Sequence, residues 1–166
     1  MTRHKKSANS THTLFQLVGS IMLIFIFDAD VNANSEPDKY YLRIAHSATS
    51  SSTDLNVTSL GVLSLKGNMV GHADLSYLES DLDGKAAALD FGAGFAFNWH
   101  VSPYVSIGAT LGYNWDQDKA IAAYFPEIGI VVDFTKTFGM ALSGRRYYSL
   151  YEEEEDIVML GLVFRK

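Results

Sequence analysis

The sequence predicts an all-β protein, a closed up-and-down antiparallel eight-stranded transmembrane β-barrel preceded by a cleavable signal peptide. Three observations lead there. Residues 1–33 have the layout of a secretion address, two segments alternate bulky apolar with small or polar residues at period two, and the composition of the 166-residue chain leaves few other classes open. At 48% apolar and 19% charged, the chain is too apolar to stay disordered. Lacking cysteine, it has no disulfide scaffold, cysteine zinc site or thiol nucleophile. A formal charge of −6 argues against a basic phosphate-binding face, so no nucleic-acid partner is expected.

The address comes first. Residues 1–6 carry three fixed positive charges, and an apolar run of 14 residues extends from Leu14 to Phe27. That is short of the roughly 20 residues a membrane-spanning helix needs. Val31 and Ala33 then stand three residues and one residue before a possible cleavage point, completing the pattern of a secretory signal peptide. An uncleaved N-terminal anchor is the alternative. Cleavage after Ala33 leaves a short polar lead, 34–39, and a barrel over 40–166, with 10 bases and 17 acids.

The strands follow from side-chain alternation. In 87–99 the odd positions are Ala87, Leu89, Phe91, Ala93, Phe95, Phe97 and Trp99, while the even ones are Ala, Asp, Gly or Asn. In 105–115 the odd positions run from Val105 and Ile107 to Tyr113 and Trp115, with Ser, Gly, Thr and Asn between. Successive side chains on a strand point to opposite faces, so each segment has one apolar face and one small or polar face. A soluble barrel turns Lys, Glu or Thr to water. Here the second face is glycine-rich, which fits a barrel with lipid outside and a narrow polar interior. Weaker alternation extends the pattern to eight strands, at about 40–47, 54–65, 69–80, 86–99, 103–115, 120–134, 137–151 and 157–164. Pro126 cannot donate to a ladder, so a bulge is expected at 125–127. Arg146 falls on the lipid face, where it either reaches toward head groups or marks a register shift after Gly144.

The connections sort by charge. One end receives 11 of the 17 mature acids, including the acidic outer loop Glu152, Glu153, Glu154, Glu155 and Asp156, with Lys85 and Lys119 as its cations. The other end holds Lys66, Lys136, Arg165 and Lys166. With the N-terminus in the periplasm, the acidic end faces outward. Trp99 and Trp115 close their segments and form an expected aromatic girdle at the membrane boundaries.

A basic signal segment, eight alternating strands, the segments Leu89–Trp99 and Val105–Trp115, and the terminal Val158–Phe164 together resemble the small bacterial outer-membrane barrels of the OmpA-transmembrane-domain and OmpX type. The resemblance implies a monomer in the outer membrane of a Gram-negative cell. It also implies delivery by the barrel-assembly machinery through the last strand, and a role in envelope integrity or surface contact without catalysis. Such barrels usually end in Phe, whereas here Arg165 and Lys166 follow Phe164.

By parity, Arg43, His72, Asp74, Asp90, Glu127, Asp133 and Arg145 point into the lumen, with Glu127 diagonal to Arg145 and Asp74 near Asp90. An eight-stranded interior is just wide enough for side chains. These charges therefore read as a self-satisfied plug rather than a proton path. Asp74, Asp90 and His72 lack the spacing of a metal signature, and no metal, cofactor or catalytic residue is expected. The acidic run lacks calcium-loop spacing and reads as a solvated hairpin tip, although an acidic rim could meet lipopolysaccharide through Mg²⁺ or Ca²⁺. Outer-membrane lipids and lipopolysaccharide are thus the expected partners. The rival readings are a lipid-modifying outer-membrane enzyme using His46 and Ser47, a narrow channel, and a soluble periplasmic β-barrel carrier. His46 and Ser47 are adjacent on one strand and so face opposite ways. Gly92–Gly94 and Ser106–Gly108 read as room for packing in the lumen rather than as phosphate loops or nucleophile elbows.

Overall fold

The computed structural model describes residues 38–50, 55–150 and 153–166, with the side chains of 48–50 and 153 left out. The expected signal peptide and most of the polar lead lie outside the described residues. Eight strands follow in chain order: β1 (Lys39–Ser50), β2 (Asn56–Lys66), β3 (Met69–Ser80), β4 (Gly84–Ala96), β5 (Val101–Asn114), β6 (Lys119–Asp133), β7 (Phe138–Leu150) and β8 (Glu153–Arg165). Each pairs antiparallel with its sequence neighbour, and β1 pairs with β8, so the sheet closes without an edge. Strands of 11 to 15 residues reach or exceed the roughly 9–11 that a tilted strand needs to cross a bilayer core. Below, the near end carries Lys39 and Arg165, and the far end carries the β1–β2, β3–β4, β5–β6 and β7–β8 connections.

Polarity across the wall is inverted relative to a water-soluble barrel. Phe95 is 72% exposed, Ile107 67% and Leu89 58%, whereas Arg43, Asp74, Asp90 and Arg145 are at most 2% exposed. The interior is layered. Toward the far end, Leu55, Val57, Leu78, Phe125, Leu150 and Ile157 belong to one apolar cluster. Toward the near end, Leu63, Leu65, Val70, Val131 and Val163 belong to another. Arg43, His72, Asp74, Asp90, Glu127 and Arg145 sit between the two.

Glycine makes room for the large inward side chains. A Cβ on Gly108 would lie 2.4 Å from the Phe125 ring, one on Gly129 2.3 Å from Tyr104, and one on Gly92 2.4 Å from the His72 ring. The small inward face read from sequence is therefore the negative of the bulky side chains on neighbouring strands. Tight turns close the ends. Gly67, at φ +56°, turns β2 into β3, and Gly84, at φ +78°, opens β4. The Asn114 side-chain carbonyl accepts from the backbone N–H of Asp116 and Gln117 and so shapes the β5–β6 turn.

Three local expectations change. No bulge forms at Pro126: the β5–β6 register runs unbroken through Ile107↔Pro126. On the other side the β6–β7 register is the same at Tyr124↔Tyr148 and Glu127↔Arg145, with Phe125 and Pro126 outside the ladder. The missing donor leaves a gap in one ladder instead of bending the strand. The register shifts lie at the far end, between Ser47 and Thr49 in β1 and between Tyr147 and Leu150 in β7, both against β8. Ser149 absorbs the second with φ +66°. Lastly, β1 begins at Lys39, inside the expected polar lead, and β8 begins four residues before its expected start at 157.

Replacing Gly61 tests this packing, because its Cβ would lie 2.2 Å from the Ala73 carbonyl oxygen and 2.5 Å from Asp74 Cα, both backbone atoms. Gly61→Ala should lower stability by about 1–3 kcal/mol, read as a lower thermal midpoint for loss of the compact, fast-migrating gel band.

Candidate functional site: the charged layer in the lumen

All seven residues assigned to the lumen by parity are buried, each at 6% exposure or less. Six of them form one network. Arg43 on β1 reaches across to β3, where its Nε donates to Asp74 Oδ1 at 3.1 Å and its Nη2 donates to Asp74 Oδ2. Its Nη1 also lies 3.6 Å from Glu127 Oε1 on β6. Arg145 on β7 donates from Nε to Glu127 and from Nη1 to Asp90 on β4 at 3.1 Å, while Nη2 approaches Asp74 to 3.6 Å. His72 stands between the acids, with Nδ1 3.0 Å from Asp74 and Nε2 3.8 Å from Glu127. Two guanidiniums thus hold three carboxylates, and the Arg145 guanidinium also lies 4.7 Å from the Phe125 ring centroid.

Neutral donors complete the layer. Asp90 accepts from Ser76 at 2.6 Å and Thr110 at 2.7 Å, and Glu127 accepts from the Tyr104 hydroxyl. Arg145 Nη1 also donates to the Tyr147 hydroxyl at 3.2 Å. Such multiple satisfaction is what buried charge requires, because an unpaired ion in a dry interior is strongly destabilising. Asp133 stands apart at the near end. It accepts from the Tyr41 hydroxyl at 2.8 Å and lies 3.0 Å from Lys39 Nζ, which also donates to the Trp99 carbonyl.

Sequence reasoning missed Lys39, Tyr41, Ser76, Tyr104, Thr110 and Tyr147. A signal existed for the first two, since Lys39 and Tyr41 have the parity of Arg43 and continuing β1 backwards turns them inward. It also placed Glu127 diagonal to Arg145, whereas the two are direct cross-strand partners. Asp74 and Asp90 likewise face each other directly, and Arg145 neutralises the pair. Among the described residues, no group of three or more His, Asp or Glu side chains is arranged to hold a metal ion. The oxygens of Asp74 and Asp90 are directed at arginine, histidine, serine and threonine.

The expected acidic outer loop is different in structure. Glu152 lies outside the described residues, and Glu153, Glu154, Glu155 and Asp156 belong to β8. Glu155 turns inward at 1% exposure, and Asp156 accepts from Nε and Nη2 of Arg146, both at 2.6 Å. Arg146 is therefore outward-facing in an unshifted register, the shift in β7 coming only after Tyr147. Its cross-strand partner Asp156 balances its charge, so the ladder continues where a solvated tip was expected.

Trp115 is 47% exposed at the far end, 6.1 Å from the Tyr77 ring. Trp99 lies past the end of β4, in the connection to β5, with its ring 5.0 Å from Phe97. His46 and Ser47 diverge. Ser47 is buried, its hydroxyl accepting from the Val57 N–H at 2.9 Å, while His46 points outward to Thr58 at 2.8 Å. No proton can pass directly between them.

The sequence matches no known family model and no curated protein. Solved structures do resemble the barrel. The N-terminal β-barrel domain of OprF from Pseudomonas aeruginosa superposes with a TM-score of 0.59 at 18% identity, covering 80% of this chain and all of that one. A de novo designed transmembrane β-barrel gives 0.57 at 12% identity, covering 81% of this chain and all of that one. At such identities the likeness establishes a shared fold, the closed eight-stranded barrel.

Removing Arg145 leaves three buried carboxylates with Arg43 as their one guanidinium among the described residues, and Asp90 with no cation. Arg145→Ala should cost about 3–5 kcal/mol, whereas Thr110→Ala, which removes one neutral donor, should cost about 1 kcal/mol. Urea unfolding of the refolded barrel in detergent, followed by tryptophan fluorescence, measures both. Equal losses would show that the charge network contributes no more than an ordinary hydrogen bond.

Proposed function

We infer that the chain is an integral outer-membrane barrel of a Gram-negative envelope. Its role is structural or in surface contact, without catalysis, and its interior does not conduct solutes. The observation that carries this reading is the inverted polarity: Leu75, Leu89, Phe91, Phe95, Ile107 and Leu111 face outward and exposed, while the arginines and carboxylates are sealed inside. A sheet of this polarity is stable only where hydrocarbon replaces water around it. Aromatic residues support two boundaries. Tyr77, Tyr113, Trp115 and Tyr124 ring the far end, and Tyr40, Phe97, Trp99 and Phe164 ring the near end.

Both strand termini lie at the near, basic end, which supports a periplasmic setting for that end and an outward setting for the acidic one. The apolar layers above and below the charges support a barrel closed to ions and against a channel. The opposite orientations of Ser47 and His46 count against acyl transfer there. The exposed leucines and phenylalanines count against a soluble carrier. Contact with lipopolysaccharide through divalent cations is a secondary part of the reading. It is limited by the pairing of Asp156 with Arg146 and of Glu79 with Lys85, the latter at 3.6 Å.

The refolded chain should float with phospholipid vesicles after alkaline washing and migrate differently on a gel before and after boiling. Recovery in the aqueous fraction with a single mobility would overturn the membrane reading. Leu89→Arg, in the middle of the apolar girdle, should lower the stability of the inserted barrel by about 2–4 kcal/mol, while a charge on the far rim should have little effect. In a planar bilayer the wild-type protein should show no discrete conductance steps, and reproducible steps would favour the channel.

A further inference from the structure

The charged layer does not balance on its own arginines. Arg43 and Arg145 bring two positive charges, whereas Asp74, Asp90 and Glu127 bring three negative ones. Apolar clusters on either side keep bulk water and its counterions from making up the difference. Lys39 and Asp133 form a pair of their own at the near end. An uncompensated charge in a dry interior is strongly destabilising, so neutrality calls for one further proton inside the layer.

Hydrogen bonding locates that proton. A carboxyl that gains a proton must donate it. Every carboxylate oxygen of the layer already accepts: Asp74 from Arg43 on both oxygens, Asp90 from Thr110 on one and from Ser76 and Arg145 on the other, and Glu127 from Tyr104 and Arg145. His72 is differently placed. Its Nδ1 lies 3.0 Å from Asp74 Oδ2, and its Nε2, buried and without a hydrogen-bond partner among the described residues, has Glu127 Oε2 at 3.8 Å. A neutral imidazole has one N–H and one lone pair. Whichever nitrogen holds the hydrogen, the other turns its lone pair toward a carboxylate, whereas an imidazolium turns N–H to both acids. Arg43 on β1 opposes the added charge, with Nη2 3.4 Å from Nδ1, but Asp74 lies between the two cations and binds both. Arg145 on β7 reaches the same two acids. The other elements add no further cation. β2 places Leu63 across from His72, β4 places Gly92 under the ring with Asp90 two residues along, and β5 supplies the Tyr104 hydroxyl to Glu127. β6 brings the Phe125 ring to 6.0 Å, and Gly161 and Val163 are the inward residues of β8 at this level.

We propose that the layer retains one proton on His72, between Asp74 and Glu127, and that the barrel is therefore a pH-sensitive fold, balanced with the proton and one negative charge in excess without it. This property belongs to the charged layer and goes beyond a role in the envelope. Free histidine titrates near pH ~6.5, so above that value the unfolded chain has released a proton that the folded layer keeps. Stability then falls as the pH rises above neutrality, and the contribution is fully present on the acid side, where both states hold the proton.

Equilibrium urea unfolding of the full barrel in detergent micelles, from about pH 6 to about pH 9, tests this against His72→Gln, which keeps an amide N–H in the layer but no titratable proton. On the alkaline side the unfolding constant of the wild type should rise about tenfold per pH unit relative to that of the variant, the slope of a single proton. Asp90→Asn, which keeps an acceptor for Ser76 and Thr110 while removing the excess negative charge, should flatten that slope. Nitrogen NMR of the histidine-labelled wild type at about pH 8 should show hydrogen on both ring nitrogens of His72, assigned through its own backbone resonances. A single N–H on that ring overturns the proposal, as does a wild-type slope equal to that of His72→Gln or one that Asp90→Asn leaves unchanged. Should His72→Gln fail to refold, the NMR spectrum and the comparison of wild type with Asp90→Asn decide the question without it.

Discussion

Arg145 carries the constraint on which the interior depends. Backbone ladders join each strand only to its two neighbours, as staves are joined in a hoop. Strand number and stagger set the mean radius, but nothing in those ladders keeps the cross-section from flattening. Side chains do that, and Arg145 on β7 reaches β6, β4 and β3 through Glu127, Asp90 and Asp74. Arg43 does the same from β1 to β3 and β6. At the near end Lys39 and Tyr41 tie β1 to β6 through Asp133. These contacts act as spokes, and their geometry is specific where apolar packing is permissive. Buried ion pairs often add little net stability, because desolvation offsets attraction. Their larger effect here is to select one cross-section among the several that a barrel of eight strands could adopt.

That arrangement follows from period two. Once one face of every strand is apolar and turned outward, whatever polar character the sequence holds must go in. The interior of an eight-stranded barrel is too narrow to hydrate those groups freely. They must satisfy one another, and they must be few. The chain meets both conditions by gathering most of its inward charge into a middle layer, with Leu63, Leu65 and Val163 below it and Val57, Leu150 and Ile157 above, and by pairing Lys39 with Asp133 at the near end. Glycines at 92, 108 and 129 then let the large side chains of the adjacent strands lie down against the wall. Inward glycine is therefore part of the spoke system, since each one is the seat of a particular ring on a neighbouring strand.

Much of this was legible in the sequence because alternation is a local signal. The segments 87–99 and 105–115 alone specify which way their side chains point, and parity carried from them places Arg43, Asp90, Glu127 and Arg145 inward before any fold is known. What escaped was non-local. Tyr104 and Thr110 matter because of their partners on β6 and β4, and spacing along β5 does not announce either. Lys39 was hidden by its setting, since a lysine after Asn, Ser, Glu, Pro and Asp reads as linker. The acidic run was misread for a related reason. Five acids in a row resemble a solvated tip until Arg146 is paired across the ladder with Asp156. Pro126 was given a bulge because a closed barrel has no edge to host it. The strand instead keeps its register and loses part of one ladder, which costs less than displacing every outward side chain beyond it.

The same reasoning explains why outward charge is confined to the ends. An arginine on the outer wall is tolerable only where it can reach water or meet an acid. Arg146 does both, being 41% exposed on its side chain and bound through two nitrogens to Asp156. Two residues further along β7, Tyr148 stacks on Tyr124 with ring centroids 5.0 Å apart. Beyond that point the requirement for strict alternation lapses. The register shift at Tyr147/Leu150, the left-handed Ser149 and the inward Glu155 all fall there. Irregularity concentrates at the far end, and the central girdle, where a one-residue slip would turn Leu89 inward and Asp90 outward, keeps an unshifted register from β2 through β6.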